Sequence, residues 1–221
     1  MKNHSNRRRF YGAVAAVALM LTTAAGNAKA DITYQLTTDH CTGGCNPNPP
    51  NSMGTVLLHQ NGTGDVLVTV DLVSPLEFVN TGLQNTIDFN LGNILTGVTA
   101  DNFSNANFSL ESGTAGSDHF DGFGNFQYSI LQNTKQGAGS AQTSPLSFDL
   151  HATGLTESSF TTDTLGWVFG VDVYNPTLNT TGPIGAGPST VPEPTTISLF
   201  GSLAGLVAIV IRSRKRASIT G

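Results

Sequence analysis

The sequence predicts an all-β ectodomain, an antiparallel β-sandwich of jelly-roll-like kind, followed by one C-terminal transmembrane helix. Three observations carry this expectation. Apolar residues in the central region recur with period two rather than 3.6. Clusters of Gly, Asn, Ser and Thr interrupt them at short intervals. One uninterrupted apolar run, closed by a basic cluster, lies near the C-terminus.

The alternation is clearest in Asp65–Val73, where Val66, Val68, Val70 and Leu72 share one face. In Leu165–Tyr174, Trp167, Phe169, Val171 and Val173 share a face, and Val168, Gly170, Asp172 and Tyr174 take the other. Ser147–His151 alternates likewise, with His151 on the polar face. Further strands are expected at Ile32–Thr37, Thr55–His59, Thr86–Leu91, Asn107–Leu110 and Asn125–Leu131. About eight short strands in residues 31–175 suit two packed sheets better than a single sheet. No apolar stripe at helical spacing occurs there, and no repeat of solenoid or propeller length is present.

Composition narrows the function classes. The chain has 221 residues, of which 11% are charged, against a usual ~25%. Its formal net charge of −5 hides a sharper division. Residues 1–30 hold five cations and no acid, and Arg212, Arg214, Lys215 and Arg216 hold four more. Between residues 31 and 190 a single lysine, Lys135, faces fourteen acids, a net −13. Such a domain is unsuited to nucleic acid, whose binding rests on cations meeting phosphates.

Residues 1–30 read as a secretory signal peptide. Arg7, Arg8 and Arg9 form the basic region, Gly12–Leu21 the short apolar region, and Ala28-Lys29-Ala30 an A-x-A cleavage site that leaves Asp31 as the first mature residue. The competing reading is an uncleaved anchor, for which the run is short. The three arginines raise the twin-arginine route, whereas Leu19, Met20 and Leu21 favour ordinary secretion.

At the other end, Ile197–Ile211 is 15 residues without a charge. As a helix it reaches about 22 Å, short of a ~30 Å hydrocarbon core. Thr195 and Thr196 on one side and snorkelling arginines on the other make up much of the difference. Arg212, Arg214, Lys215 and Arg216 form the cytoplasmic stop that the positive-inside rule expects, with residues 217–221 a cytoplasmic stub. Residues 176–190, rich in Pro, Gly and Thr, read as a linker. Val191-Pro192-Glu193-Pro194 follows, a stiff extended segment that cannot join the next helix.

Motif, short apolar helix and basic cluster together resemble the PEP-CTERM sorting domain of Gram-negative bacteria that make exopolysaccharide. The match covers residues 191–216, with Ala217–Gly221 extending past the usual end of such tails. The resemblance implies recognition by a membrane-embedded, exosortase-type cysteine protease or transpeptidase, cleavage near Pro194, and transfer to the envelope or release. The segments Phe78–Gly82, Ile87–Leu91 and His119–Gly124 also resemble a recurring β-rich ectodomain of PEP-CTERM proteins.

Few residues carry recognisable chemistry. Cys41 and Cys45 are the only cysteines, and in an exported chain they are expected to form a disulfide. Metal binding with His40 is the rival, but C-x₃-C without a second pair is poor zinc spacing. Asp118, Asp121 and Asn125 offer oxygens at spacings that could serve Ca²⁺; turn formation beside Gly122 and Gly124 accounts for the same letters. No cofactor motif, His-Glu-x-x-His, Gly-x-Ser-x-Gly or P-loop occurs.

The resulting expectation is a non-enzymatic exported protein of the cell surface or exopolysaccharide matrix. It would be held first on the periplasmic side of the inner membrane, having met the secretion machinery and the processing enzyme. The alternative is a lectin-like, polysaccharide-binding ectodomain that uses Tyr174, Tyr128 or Phe123 to stack on a sugar. A third reading, a secreted hydrolase, calls for a perturbed carboxylate pair in a deep cleft.

Overall fold

The computed structural model describes residues 31–188, except 83–84, 93–94, 96 and 112–117. The expected signal peptide, sorting motif, transmembrane helix and basic stop lie outside the described residues. Among the described residues, no helix is long and apolar enough to cross a membrane.

Two antiparallel sheets face each other. The front sheet runs in the order β1 (Ile32–Leu36), β3 (Gly54–Gly62), β4 (Asp65–Leu72), β12 (Leu146–His151), β7 (Thr99–Asp101). The back sheet runs β2 (Thr38–Asp39), β15 (Thr180–Ala186), β14 (Phe169–Asn175), β6 (Asn85–Leu91), β11 (Tyr128–Gln132), β8 (Phe108–Leu110). The short strands β5 (Glu77–Phe78) and β13 (Phe160–Thr161) pair with β14 and β6. A separate hairpin is made of β9 (Asp118–Phe120) and β10 (Gly124–Phe126). Three pairings nest: β8 with β11, β7 with β12 and β6 with β14, the middle one in the front sheet and the others in the back.

The period-two pattern explains the front sheet. Val66, Val68 and Val70 stand opposite Leu150, Phe148 and Leu146, and Val68 and Val70 also stand opposite Leu58 and Val56 of β3. All are buried, so one face of the pleat is a continuous apolar row. Ile87, Phe89, Val171, Val173, Ile130 and Ile184 supply the facing row from the back sheet. Tyr34 and Phe169 meet edge-on across the gap at 5.3 Å. On the outer side of the front sheet, His151 is clasped by Asp65 (2.7 Å) and Asp101 (2.9 Å), which ties β12 to both neighbours. The hydrogen bond to Asp65, then that to Asp101, pushes its pKa up.

Two expectations are corrected here. Residues 176–190 are not simply a linker, because Thr180–Ala186 is β15, paired with β14 over its whole length. Its Gly and Pro content conceals a strand. The His40 and Thr37 amides donate to the carbonyls of Pro183 and Gly185, so the backbone polar groups of these two residues face β2. The N–H that Pro183 lacks is therefore missing on the side of a two-residue neighbour, not from the β14 ladder. Ile184 and Ala186 alternate into the core, and the β-domain extends past residue 175.

The second correction concerns Leu165–Tyr174. Its strand begins only at Phe169. Asp163 Oδ1 accepts the amides of Leu165 and Trp167 (2.9 and 2.8 Å), which shapes a turn before it. Trp167 joins Phe120, Phe123 and Phe126 in a second cluster rather than the main core. The back sheet is thus buried on both faces at its centre, as β6 and nearly all of β14 are. The β9–β10 hairpin covers the outer face, with Phe120 seated over Gly170 and Phe123 over Gly185. A Cβ at Gly170 would lie 2.6 Å from the Phe120 ring. These two glycines are the sockets that let the hairpin lie against the sheet.

Candidate functional site

Under and beside that hairpin the outer face of the back sheet carries carboxylates rather than apolar side chains. Asp172 on β14 is 5% exposed. Its Oδ2 accepts the Thr81 amide (2.7 Å) and the Thr81 hydroxyl (2.6 Å), and its Oδ1 is buried without a hydrogen-bond partner. Burial pushes its pKa up to about 6, against the pull of the two bonds from Thr81 and of the Val173 amide. Asp88 on β6 stands opposite Gly170 and is fully buried. Asn85 Nδ2 donates to its Oδ2 at 3.2 Å, and its Oδ1 has no partner. Burial pushes Asp88 up to about 8, opposed by hydrogen bonds from Ser129 and Asn85 and reinforced by the charges of Asp118 and Glu111. Asp88 therefore carries a proton at neutral pH.

A cleft of about 420 Å³ opens beside this patch. Asp172 and Asn85 line its sheet side, His119 and Asp121 the hairpin side, and His40 and Thr42 the side of the loop before β3. The segments 78–82, 87–91 and 119–124, remote in sequence, converge in and beside this cleft.

The loop wall is built with unusual firmness for a stretch of Gly, Asn and Pro. Cys41 and Cys45 are disulfide-bonded, with Cα atoms 5.6 Å apart. Asp39 gathers the amides of Cys41 (2.9 Å), Cys45 (2.8 Å) and Asn46 (2.9 Å) on its carboxylate. Asn175 Nδ2 donates to the Cys45 carbonyl and Thr180 Oγ1 to that of Gly44, at 2.9 and 2.8 Å. Gly182 lets β15 run close beneath, since a Cβ there would meet Cys41 Cα at 2.7 Å. His40, next to this clamp, stacks on Phe123 with ring centroids 4.5 Å apart and planes 27° from parallel.

The residues proposed for Ca²⁺ are not brought together. Asp118 stands opposite Phe126, and His119 opposite Asn125, so Asp118 and Asn125 lie on opposite faces of the hairpin. Ser129 Oγ occupies Asp118 Oδ2 (2.8 Å) and His119 Nδ1 occupies Asn125 Oδ1 (3.1 Å), which leaves Asp121 alone at the cleft. Among the described residues, the group close enough to share an ion is Asp39, Cys41 and Cys45. There both sulfurs are spent on each other and the carboxylate on three amides. Asp31, the expected mature N-terminus, holds His59 at 2.7 Å. Ala28, Ala30, Val191, Pro192, Glu193, Pro194, Arg212, Arg214, Lys215 and Arg216 lie outside the described residues.

Of the aromatics suggested for sugar stacking, Phe123 is fully buried and Tyr128 is stacked on Phe89 at 5.5 Å. Tyr174 hydrogen-bonds Asn179 at 3.2 Å and does not line the cleft. The rings that line it are the buried Phe120 and the exposed imidazoles of His40 and His119. The pattern Ile87-Asp88-Phe89 assigns Asp88 to a solvent face, and Val171-Asp172-Val173 does the same for Asp172. A signal to the contrary is present: Phe120, Phe123 and Phe126 need burial, and β14 and β15 carry side-chain-free positions at Gly170, Gly182 and Gly185, of which Gly170 and Gly185 receive two of them. Comparison of the chain with protein-family models, with characterised proteins and with solved structures finds no match.

Proposed function

We propose that this chain is an exported, non-enzymatic protein of the cell surface or exopolysaccharide matrix, sorted through its Pro-Glu-Pro tail by an exosortase-type membrane enzyme. The observation that carries the reading is the sequence of the tail: Val191-Pro192-Glu193-Pro194, a 15-residue apolar run, then four cations within Arg212–Arg216. The basic and apolar stretch ending in Ala28-Lys29-Ala30 supplies the export signal. In this reading the chain is first anchored on the periplasmic side of the inner membrane by its C-terminal helix, and processing near Pro194 then moves it outward.

The disulfide between Cys41 and Cys45 suits an oxidising compartment. The nested strand pairings support a jelly-roll-like reading of the sandwich. Both raised carboxylates lend some weight to hydrolysis, but Asp88 is sealed from solvent and cannot exchange a proton with a substrate in the cleft, so the non-enzymatic reading is kept. An alkaline phosphatase reporter fused after Pro188 tests export. Activity in the native host is expected, and a reporter that stays inactive and cytosolic would remove the proposal.

A further inference from the structure

We propose that the cleft between the β9–β10 hairpin, the disulfide loop and the β14–β15 ladder is a saccharide site, taking an uncharged sugar ring on the His40 imidazole with a hydroxyl donating to Asp121. The inference goes beyond tail sorting and does not depend on it.

A pyranose presents two kinds of surface. Its ring faces carry C–H groups that lie well against a flat ring, and its rim carries hydroxyls that donate to planar acceptors. The cleft offers both. His40 is a platform that the fold holds in place. One face of its ring is covered by Phe123, and a side chain at Gly122 would collide with its Nδ1. Its backbone is pinned by a 3.0 Å hydrogen bond to the Pro183 carbonyl, and the ring remains exposed at the cleft. Sites for small polar ligands combine such a surface with a few placed polar groups.

The acceptor a ligand can reach is Asp121, exposed on the hairpin turn. Asp172 closes the opposite wall, with one oxygen held by Thr81 and the other shut away from solvent. Thr42 and Thr81 add hydroxyls at the rim.

The charge pattern narrows the sugar. Among the described residues, two carboxylates and no lysine or arginine line the cleft, and uronates, sulfates and phosphates are repelled by such an arrangement. A simple ammonium ion would gain from the carboxylates but has no ring face to lay on the platform. The neutral sugar uses both features.

Saturation-transfer NMR and titration calorimetry on the full-length protein, with maltose, cellobiose and lactose as probes, test this. At least one should bind with a Kd of about 1 mM or below. His40→Ala should weaken binding at least about tenfold and Asp121→Asn several-fold. Digalacturonate should not bind. Asp121→Asn lies on an exposed turn, so an unchanged circular dichroism spectrum in that variant separates lost binding from lost fold. Three results would each overturn the proposal: no saturation transfer from any neutral disaccharide at about 10 mM, equal affinity in the wild type and His40→Ala, or digalacturonate binding as tightly as the neutral probes. None of these bears on the mature termini, so failure here is distinguishable from failure of tail sorting.

Discussion

Asp88 shows how a short polar residue in a strand can be misplaced by its neighbours. Its position between Ile87 and Phe89 assigns it to the outer face correctly, but that face is covered, and the carboxyl is fully buried. Burial raises its pKa from the ordinary carboxylate range to about 8. The consequence for stability has a definite sign. Near pH 3 the carboxyl is largely protonated in both folded and unfolded chains, so it contributes little. Between pH 4 and 8 the unfolded chain ionises and the folded one does not, so folding stability falls as pH rises. Asp88→Asn should therefore be nearly neutral at pH 3 and stabilising by on the order of 5 kcal/mol at pH 8. Urea unfolding at the two pH values measures this. An equal loss at both would mean that Asp88 acts through its hydrogen bonds and not through its charge.

At the scale of elements, the β9–β10 hairpin is what turns an ordinary two-layer sandwich into a domain with a cleft. Its seat is made by two glycines, not by matched apolar side chains. Gly185→Ala places a methyl group in the space that the Phe123 ring occupies, and overpacking of this kind costs typically about 1–3 kcal/mol. The lone tryptophan, Trp167, packs against Phe123 at 5.0 Å and reports the event directly. Gly185→Ala should redshift its fluorescence, and Phe123→Leu in the same chain should restore part of the stability. An unaltered spectrum in Gly185→Ala would mean that the hairpin does not depend on this socket.

The same scale shows what was legible in the letters. All eight segments with period-two apolar spacing contain a strand, with ends displaced by a few residues; Asn125–Leu131 is divided between β10 and β11 at Gln127. The elements that escaped have physical reasons for doing so. β15 carries Gly182, Pro183 and Gly185 because it sits beside a two-residue edge strand and beneath an aromatic ring. β2, β5 and β13 are two residues long and β7 and β9 three, too short to display a period. The cleft was foreshadowed only in part: His119, Phe120 and Asp121 stood out as a motif, and Cys41 and Cys45 as a pair. Asp172 and Asn85 reach the cleft by long-range pairing that no local pattern encodes.

For the whole molecule, the proposed export and sorting rest on the division of charge along the chain. Fourteen acids against one lysine between residues 31 and 190 offer phosphates almost no cation. The remaining cations lie in residues 1–30 and 212–216. In the proposed reading the β-domain is the cargo and the two ends are processed. Intact-mass analysis of the protein recovered from its native host measures this directly, with Pro192→Ala and Pro194→Ala together in a matched variant. A wild-type species beginning at Asp31 and ending near Pro194, with the variant retaining its tail, is the predicted result. A wild-type mass that still includes Gly221 would contradict it.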